Sequence, residues 1–473
     1  MNLWTLVQAH PAEIVLADGA MLLLVVDRVL LARRPEALRH FVASALAALS
    51  CLVGVLVAPG SFAAASILLL AAASALFGRE WRFTSNVGEY YVLVLLATLG
   101  LLVMTSATSW LVAFLGLETA SLALYALVAF DKSRPLSAEA GLKMFLLGAV
   151  SAAFLLYGLS LVYGLTGTLD IRASGAALLA QPLTPLALTA MLMIMVGFGF
   201  KIAAAPFHLW APDAYQGAPV PAAALVASAS KVGGTVMFLN VFATGLAGPG
   251  RSFPGNWLPV AAGWVPALLT VAAASMLLGN LTALVQRSVK RLLAYSSIAH
   301  AGYLLVGFAA AGAGRLPADQ VVFYIATYAA ATCGAFGVVA VVERECGSDD
   351  LDAFAGLVRR SPVLAALLAV FLLSLAGIPP LAGFFAKFQL FLEALRAGGT
   401  AWTASVALGL ALSCVSLYYY LQVLKRVFVT DPAPDAPALR PAALSSYAVL
   451  ALLALGLLAA GLQPDAVLAF TGR

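Results

Sequence analysis

Polarity changes rarely along this chain. Apolar runs of about twenty residues follow one another from near residue 12 to residue 462, and that length suits a helix crossing the hydrocarbon of a bilayer. The pattern predicts fourteen spans, near 12–31, 38–58, 62–77, 89–106, 109–130, 142–164, 186–210, 219–243, 257–279, 290–312, 319–343, 362–394, 401–426 and 441–462. Runs this long fit helices rather than barrel strands, which need only about ten residues. The longest polar stretches, near 166–185 and 343–361, are too short to enclose a soluble core. The fold class expected is therefore all-α, a polytopic membrane protein.

Two spans are interrupted. The seventh holds Pro206 and Pro212 in KIAAAPFHLWAPDAYQGAP, and the twelfth holds Gly377, Pro379, Pro380 and Gly383 in SLAGIPPLAGFFAK. Proline lacks an amide donor and crowds the preceding turn, so it frees carbonyls that need new partners. At membrane depth such breaks are tolerated inside protein or beside a hydrated cavity. The broken span is the fourth of five in spans 4–8, and again in spans 9–13. A five-helix unit followed directly by its copy must enter the bilayer upside down. The chain is thus expected to hold two inverted five-helix repeats, each with a discontinuous helix. They would cover 89–243 and 257–430, after three helices within 1–88 and before a last helix within 441–473.

Charge gives the orientation. Eighteen of the 26 lysines and arginines fall in alternate loops on one side, from Arg28, Arg33, Arg34 and Arg39 through to Lys425, Arg426 and Arg440. Five fall on the other side: Arg172, Arg251, Arg315, Arg396 and Arg473. Basic loops stay in the cytoplasm, so both termini are expected on the periplasmic face of a bacterial inner membrane. The MNLWTLVQAHPAEI start lacks a basic stretch, so no cleavable signal is expected. With 63% of residues hydrophobic and 10% charged, the chain is far from a soluble domain, which is about one quarter charged. Its net charge of +5 is spread over helix ends, which argues against a nucleic-acid partner. Cys51, Cys333, Cys346 and Cys414 show no metal or disulfide spacing, and there is no nucleotide-binding glycine motif. No metal or cofactor is expected in this chain.

The remaining three lysines lie inside apolar runs: Lys201 in MIMVGFGFKIAAAPF, Lys231 in AALVASASKVGGTV and Lys387 in IPPLAGFFAKFQLF. A charge at bilayer depth costs about 2.5–3.5 kcal/mol on insertion scales, so together they oppose insertion by roughly 8–10 kcal/mol. Glu118 and His300 are also inside spans. Such residues predict a path for protons or ions. Glu118 and Lys201 are expected to pair, with a separation that switches both. Gly233 and Gly234 after Lys231 allow close approach or local unwinding. Lys387 is too far along its helix from Glu393 to share a face with it. His300 can accept and donate protons, with Ser296 and Ser297 nearby to hold a water chain. His208 suits access or capping equally, and Lys143 suits anchoring at least as well as channel lining. Tyr418, Tyr419 and Tyr420 fit an interfacial belt, without chemistry. The bland alternative is a scaffold whose buried charges hold helices together.

The stretch GFGFKIAAAPFHLWAPDAYQGAPVPAAALVASASK resembles the signature of the antiporter-like membrane subunits of NADH:quinone oxidoreductase, respiratory complex I. Its YQGAP wording, with Lys231 placed as here, is nearer to subunit N than to subunits L or M. FLGLETASLALYAL, GLKMFLLGAVSAAFLLYGLSLVYGLTGT, VKRLLAYSSIAHAGYLLVG and SLAGIPPLAGFFAKFQLF extend the resemblance over roughly 109–394. It implies a proton-translocating subunit with Glu118, Lys201, Lys231 and Lys387 as a charged axis and His300 between. It also implies partners: antiporter-like subunit M, small membrane subunits, and a redox arm that carries FMN, iron–sulfur clusters, NADH and quinone. None of those cofactors would be held by this chain. Multi-subunit cation/proton antiporters and membrane-bound hydrogenases share the fold and are the alternative families.

Overall fold

A computed structural model describes residues 10–58, 60–81, 86–182, 184–246, 264–312, 317–432, 434 and 437–471. Among them every regular element is a helix, and extended pairing is limited to two isolated bridges. The helices are α1 Pro11–Val25, α2 Glu36–Val57, α3 Phe62–Phe77, α4 Val87–Ser106, α5 Trp110–Val128 and α6 Pro135–Thr166. Then come α7 Ile171–Leu179, α8 Pro185–Ile202, α9 Ala211–Gly217, α10 Val220–Ala227, α11 Ala229–Leu239, α12 Trp264–Ala283 and α13 Val289–Gly312. The last are α14 Ala318–Cys346, α15 Leu357–Arg360, α16 Pro362–Ala376, α17 Ala382–Arg396, α18 Thr400–Phe428, α19 Leu444–Leu462 and α20 Pro464–Thr471. Helices close their own backbone hydrogen bonds, which a lipid-facing chain requires. Side chains cap the starts: Ser61 accepts from Ala64, Asp170 from Ala173 and Thr184 from Ala187.

Twelve helices among the described residues are long and apolar enough to span, where hydropathy predicts fourteen. The first expected span is α1, 15 residues followed by a wide turn over Val26–Leu30, in which Asp27 is bound by Arg39 at 2.6 Å. A paired charge inside the apolar run ends the regular helix. The twelfth is divided at its prolines into α16 and α17. The eighth counts as one span, although it bends at Ser228 (φ −119°, ψ −85°) between α10 and α11.

Burial is uneven, and this positions the site. Residues of the apolar windows are 94% buried in Val220–Phe242 and in Val289–Ala311 and 89% in Ala318–Cys346, against 33% in α6 and in α18. The three most buried spans form the centre, and Lys231 and His300 lie on two of them.

One local arrangement occurs twice. Ahead of α5, Trp110 N donates to Leu169 O and Ile171 N to Thr108 O, joining Ser109 to Asp170. Ahead of α13, Val289 N donates to Asp349 O and Leu351 N to Arg287 O, joining Ser288 to Asp350. The long helices before these junctions, α6 and α14, both end on a left-handed glycine, Gly167 and Gly347, each at φ +68°. The helix contacts repeat as well. A Cβ on Gly100 would lie 2.4 Å from Ala120 N, and one on Gly279 would lie 2.4 Å from Ala299 N. Ser288, Gly279 and Ala299 each stand 179 positions after Ser109, Gly100 and Ala120.

Ion pairs fasten the basic side. Glu343 is bound by Lys290 at 2.8 Å and by Arg134 at 3.1 Å, and Lys290 is fully buried rather than in a loop. Glu80 is 1% exposed; it accepts from Ala443 N at 2.8 Å and Ser446 Oγ at 2.6 Å at the start of α19, and pairs with Arg344. Breaking a buried pair leaves its partner charged and dry, at about 3–5 kcal/mol. Glu80→Ala is therefore expected to destabilise the protein by about 3 kcal/mol. A denaturation midpoint in detergent equal to that of the unaltered protein would contradict this.

Candidate functional site

The first break begins where α8 stops. Ala203 adopts a left-handed conformation (φ +57°), residues 205–210 form turns, and α9 resumes at Ala211. The last carbonyls of α8 find substitute donors: Ala204 N for Gly199 O, Trp210 Nε1 for Phe200 O at 3.0 Å, and Lys231 Nζ for Ile202 O at 2.7 Å. The ammonium of Lys231 also stands 5.4 Å from the centre of the Trp210 ring. A helix C-terminus carries about half a negative charge, so a cation there is favoured by about 0.3–2 kcal/mol.

The second break repeats the chemistry with a different donor. After α16 ends at Gly377, Lys387 on α17 turns back and donates to Leu375 O at 2.9 Å and Ala376 O at 3.2 Å. Its ammonium is 5.2 Å from the Tyr303 ring centre. Glu393 binds Arg396 at 2.6 Å. At both breaks an ammonium covers the carbonyl end of a half-helix.

Exposure is 5% for Lys201, 3% for Lys231, 7% for Lys387 and 4% for His300, so none of them reaches a surface. Lys201 donates to Ser121 Oγ at 3.4 Å. Glu118 and Lys201 interact electrostatically without a direct ion pair, and Ser121 stands on the Lys201 side. Glu118 is half-buried, with Oε1 buried and without a hydrogen-bond partner. Gly234 gives the Lys201 stem its room, since a Cβ there would be 3.0 Å from Lys201 Cγ, while Gly233 packs on Leu101 and Met104. The glycines thus permit close approach, and the bend of this span lies before them, at Ser228.

His300 Nδ1 meets Tyr324 Oη at 2.8 Å. Ser296 and Ser297, expected beside it as a water chain, bond tyrosines instead: Ser296 with Tyr420, and Ser297 with Tyr215 of α9 at 3.3 Å. The Tyr215–Ser297 contact ties the first broken helix to the helix of His300. Tyr419 and Tyr420 are fully buried, Tyr419 donating to Asn280 Oδ1 at 3.2 Å, so of the expected belt only Tyr418 is exposed. Helix phase turns neighbours by about 100°, which separates Tyr418 from the other two.

At the basic end, Lys143 is paired with Glu139 at 2.6 Å and Asp213 at 2.8 Å, and Arg291 binds Asp213 at 2.7 Å. Burial pushes the Asp213 carboxyl up, but the bonds from Lys143 and Arg291 outweigh it and hold it below the usual carboxylate range. The cluster is therefore intact at neutral pH and is lost as pH falls through that lowered value. His208 lies within the break; its carbonyl accepts from Ala211 N at 2.9 Å and its Nδ1 has no hydrogen-bond partner. Among the described residues no three His, Cys, Asp or Glu side chains gather into a metal-holding group.

Sequence inspection missed Ser121, Tyr324 and the Asp213–Arg291 contact. Ser121 stands one turn after Glu118, a signal within reach of helical spacing. The others depend on which helices face each other.

Residues 107–415 match the family model described as NADH:quinone oxidoreductase/Mrp antiporter, TM. The chain is 46% identical, over 94% of each sequence, to NADH-quinone oxidoreductase subunit N 2 of Acidobacterium capsulatum. A chain of respiratory complex I from Thermus thermophilus superposes with a TM-score of 0.78 at 34% identity, over 97% of this chain and 98% of that one. A chain of the Mrp complex from a Dietzia species superposes with a TM-score of 0.80 over 98% and 96%, but at 22% identity it speaks for the fold alone.

Proposed function

We infer, for a chain that belongs to the NADH-quinone oxidoreductase subunit N family, that protons cross the bilayer along Glu118, Lys201, Lys231, His300 and Lys387. It is an antiporter-like, proton-translocating membrane subunit of bacterial respiratory complex I. The observation that carries the proposed path is the pair of ammonium groups seated on half-helix ends, Lys231 on Ile202 O and Lys387 on Leu375 O. An insertion cost of about 2.5–3.5 kcal/mol per lysine exceeds what a helix end returns, about 0.3–2 kcal/mol. As structural glue these lysines are a net cost, which supports a role in moving charge.

The contacts of Lys201 and Lys231 support the following proposed sequence of events. Quinone reduction elsewhere in the enzyme sends an electrostatic change along the membrane arm and alters the Glu118–Lys201 separation across Ser121. Lys201 sits next to Ile202, whose carbonyl holds Lys231. A cation shifted toward Lys231 favours its neutral form, and the released proton passes by His300 to Lys387 and outward. The finer architecture proposed is fourteen spans, with inverted repeats over 89–243 and 257–430, three helices within 1–88 and a last helix within 441–473. The 179-residue recurrence of Ser109, Gly100 and Ala120 supports it. Both termini are proposed to face the periplasm, with subunit M and the small membrane subunits as neighbours in the inner membrane.

Replacing Lys201, Lys231 and Lys387 together by methionine tests the path against the scaffold alternative. The assembled enzyme is expected to oxidise NADH without acidifying vesicles through this subunit. Unchanged pumping would mean that the lysines only hold helices together.

A further inference from the structure

Helix α1 carries an acid on its outer face. Its buried stripe is Ala12, Leu16, Gly19, Ala20 and Leu23, and this side rests on α2 and α4, with Gly19 against Ser50. Asp18 stands on the other side and is exposed, in line with Met21, Leu22 and Val25, which are 70%, 54% and 55% exposed. Spacings of three, four and seven residues put these four on one helix face. The neighbouring acids are all matched. Glu13 meets His10 and Ser106 at 3.3 Å each, Asp27 is bound by Arg39 at 2.6 Å, and Glu89 of α4 is bound by Arg28. Among the described residues nothing bonds the Asp18 carboxylate. Within α1 seven residues precede it and seven follow, about 10 Å of helix on either side. Lysine and arginine reach the membrane surface on long stems, but aspartate has a single methylene and does not. An ionised carboxylate facing lipid disfavours insertion about a hundredfold, so acids inside spans face protein or water and are paired. This one faces away from its own bundle, so its pairing group belongs to another chain.

We propose that the outer face of α1 is a docking surface for a membrane-spanning helix of another subunit of the complex, which sets a lysine or arginine beside Asp18 and packs apolar side chains on Met21, Leu22 and Val25. Charge complementarity selects this partner. A second copy of the chain, related by a two-fold axis, would bring Asp18 against Asp18 and repel. Lipid headgroup amines lie at the interface, beyond the reach of so short a side chain. A neighbouring helix places its cation at the depth of the carboxylate, and its apolar residues lose nothing by leaving lipid for the α1 face. This surface involves none of the residues of the inferred path, so the loss of either inference leaves the other standing.

The test places a photo-crosslinking benzoyl-phenylalanine at Met21 in the intact complex and identifies the cross-linked peptides by mass spectrometry. The expected product joins Met21 to a spanning segment of another subunit that has a lysine or arginine within one helical turn of the attachment point. Products with lipid alone, with a second copy of this chain, or with a segment lacking such a cation would each overturn the proposal. Asp18→Lys sets like charges together and is expected to lower the product at least tenfold, and changing the partner's cation to glutamate is expected to restore it. Asp18→Asn keeps the shape without the charge and covers the case in which Asp18→Lys does not insert. Its product is expected to fall roughly threefold or more, the effect of one lost charge-assisted bond. An undiminished product from an assembled Asp18→Asn complex would overturn the charge pairing.

Discussion

Lys231→Ala is expected to assemble into the complex at near-normal levels and to lose proton translocation through this subunit by about a hundredfold or more. Two opposing effects keep the fold. The change leaves Ile202 O without its donor, at about 1–3 kcal/mol, but removes a buried charge that costs about 2.5–3.5 kcal/mol to insert. The net change in stability is near zero, so lost transport is not lost folding. Transport suffers because alanine neither accepts nor releases a proton, and positioned acid–base groups contribute about 100- to 10,000-fold. Lys231→Arg separates charge from protonation. A guanidinium still reaches a carbonyl and stays cationic, yet it does not deprotonate in proteins. It is therefore expected to block translocation too. NADH-driven acidification of vesicles measures both variants, and normal pumping by either assembled enzyme refutes proton transfer at this position.

A second large effect is expected from Gly279→Val, this time on the fold itself. A Cβ at Gly279 would sit 2.4 Å from Ala299 N and 2.8 Å from Tyr295 O, and both are backbone atoms of α13. No side chain can turn aside, so α12 and α13 must separate, and close packing along the whole pair is lost. Overpacking against movable side chains costs about 1–3 kcal/mol; against backbone about 4 kcal/mol or more is expected. That is a large part of the margin of a typical domain. Gly279→Val is expected to yield little assembled subunit, and Gly100→Val the same, because its Cβ meets Ala120 N and Gly116 O at 2.4 and 2.7 Å. Gly456 on α19 has nothing within 4 Å of an added Cβ, so Gly456→Val is the matched control and is expected to assemble normally. Membrane fractions probed for the assembled complex decide the matter. Equal yields from all three variants would show that these close crossings do not limit the fold.

The residues of the proposed path are legible in the sequence because their cost is local. A lysine within twenty apolar residues is out of place whatever surrounds it, so Lys201, Lys231 and Lys387 stand out from hydropathy alone. The breaks at Pro206 and at Pro379 and Pro380 are legible for the same reason, since proline acts on its own turn. The bend at Ser228 is not, because serine and its neighbours fit a regular helix and packing on every side imposes the departure. Nor is the burial of Tyr419 and Tyr420, which depends on α18 turning them toward Asn280 and Ser296.

By itself, then, the sequence determined a helical membrane protein, its interruptions and the side chains whose charge has no business in lipid, all of which follow from local transfer energies and backbone geometry. Tertiary structure alone decided the hydrogen-bond partners: Ile202 O for Lys231, Leu375 O for Lys387, Ser121 Oγ for Lys201, Tyr324 for His300. Those pairings join residues from 12 to 80 positions apart. They are set by which helix faces meet, and hydropathy within a span says almost nothing about that, because lipid and a neighbouring helix are equally apolar.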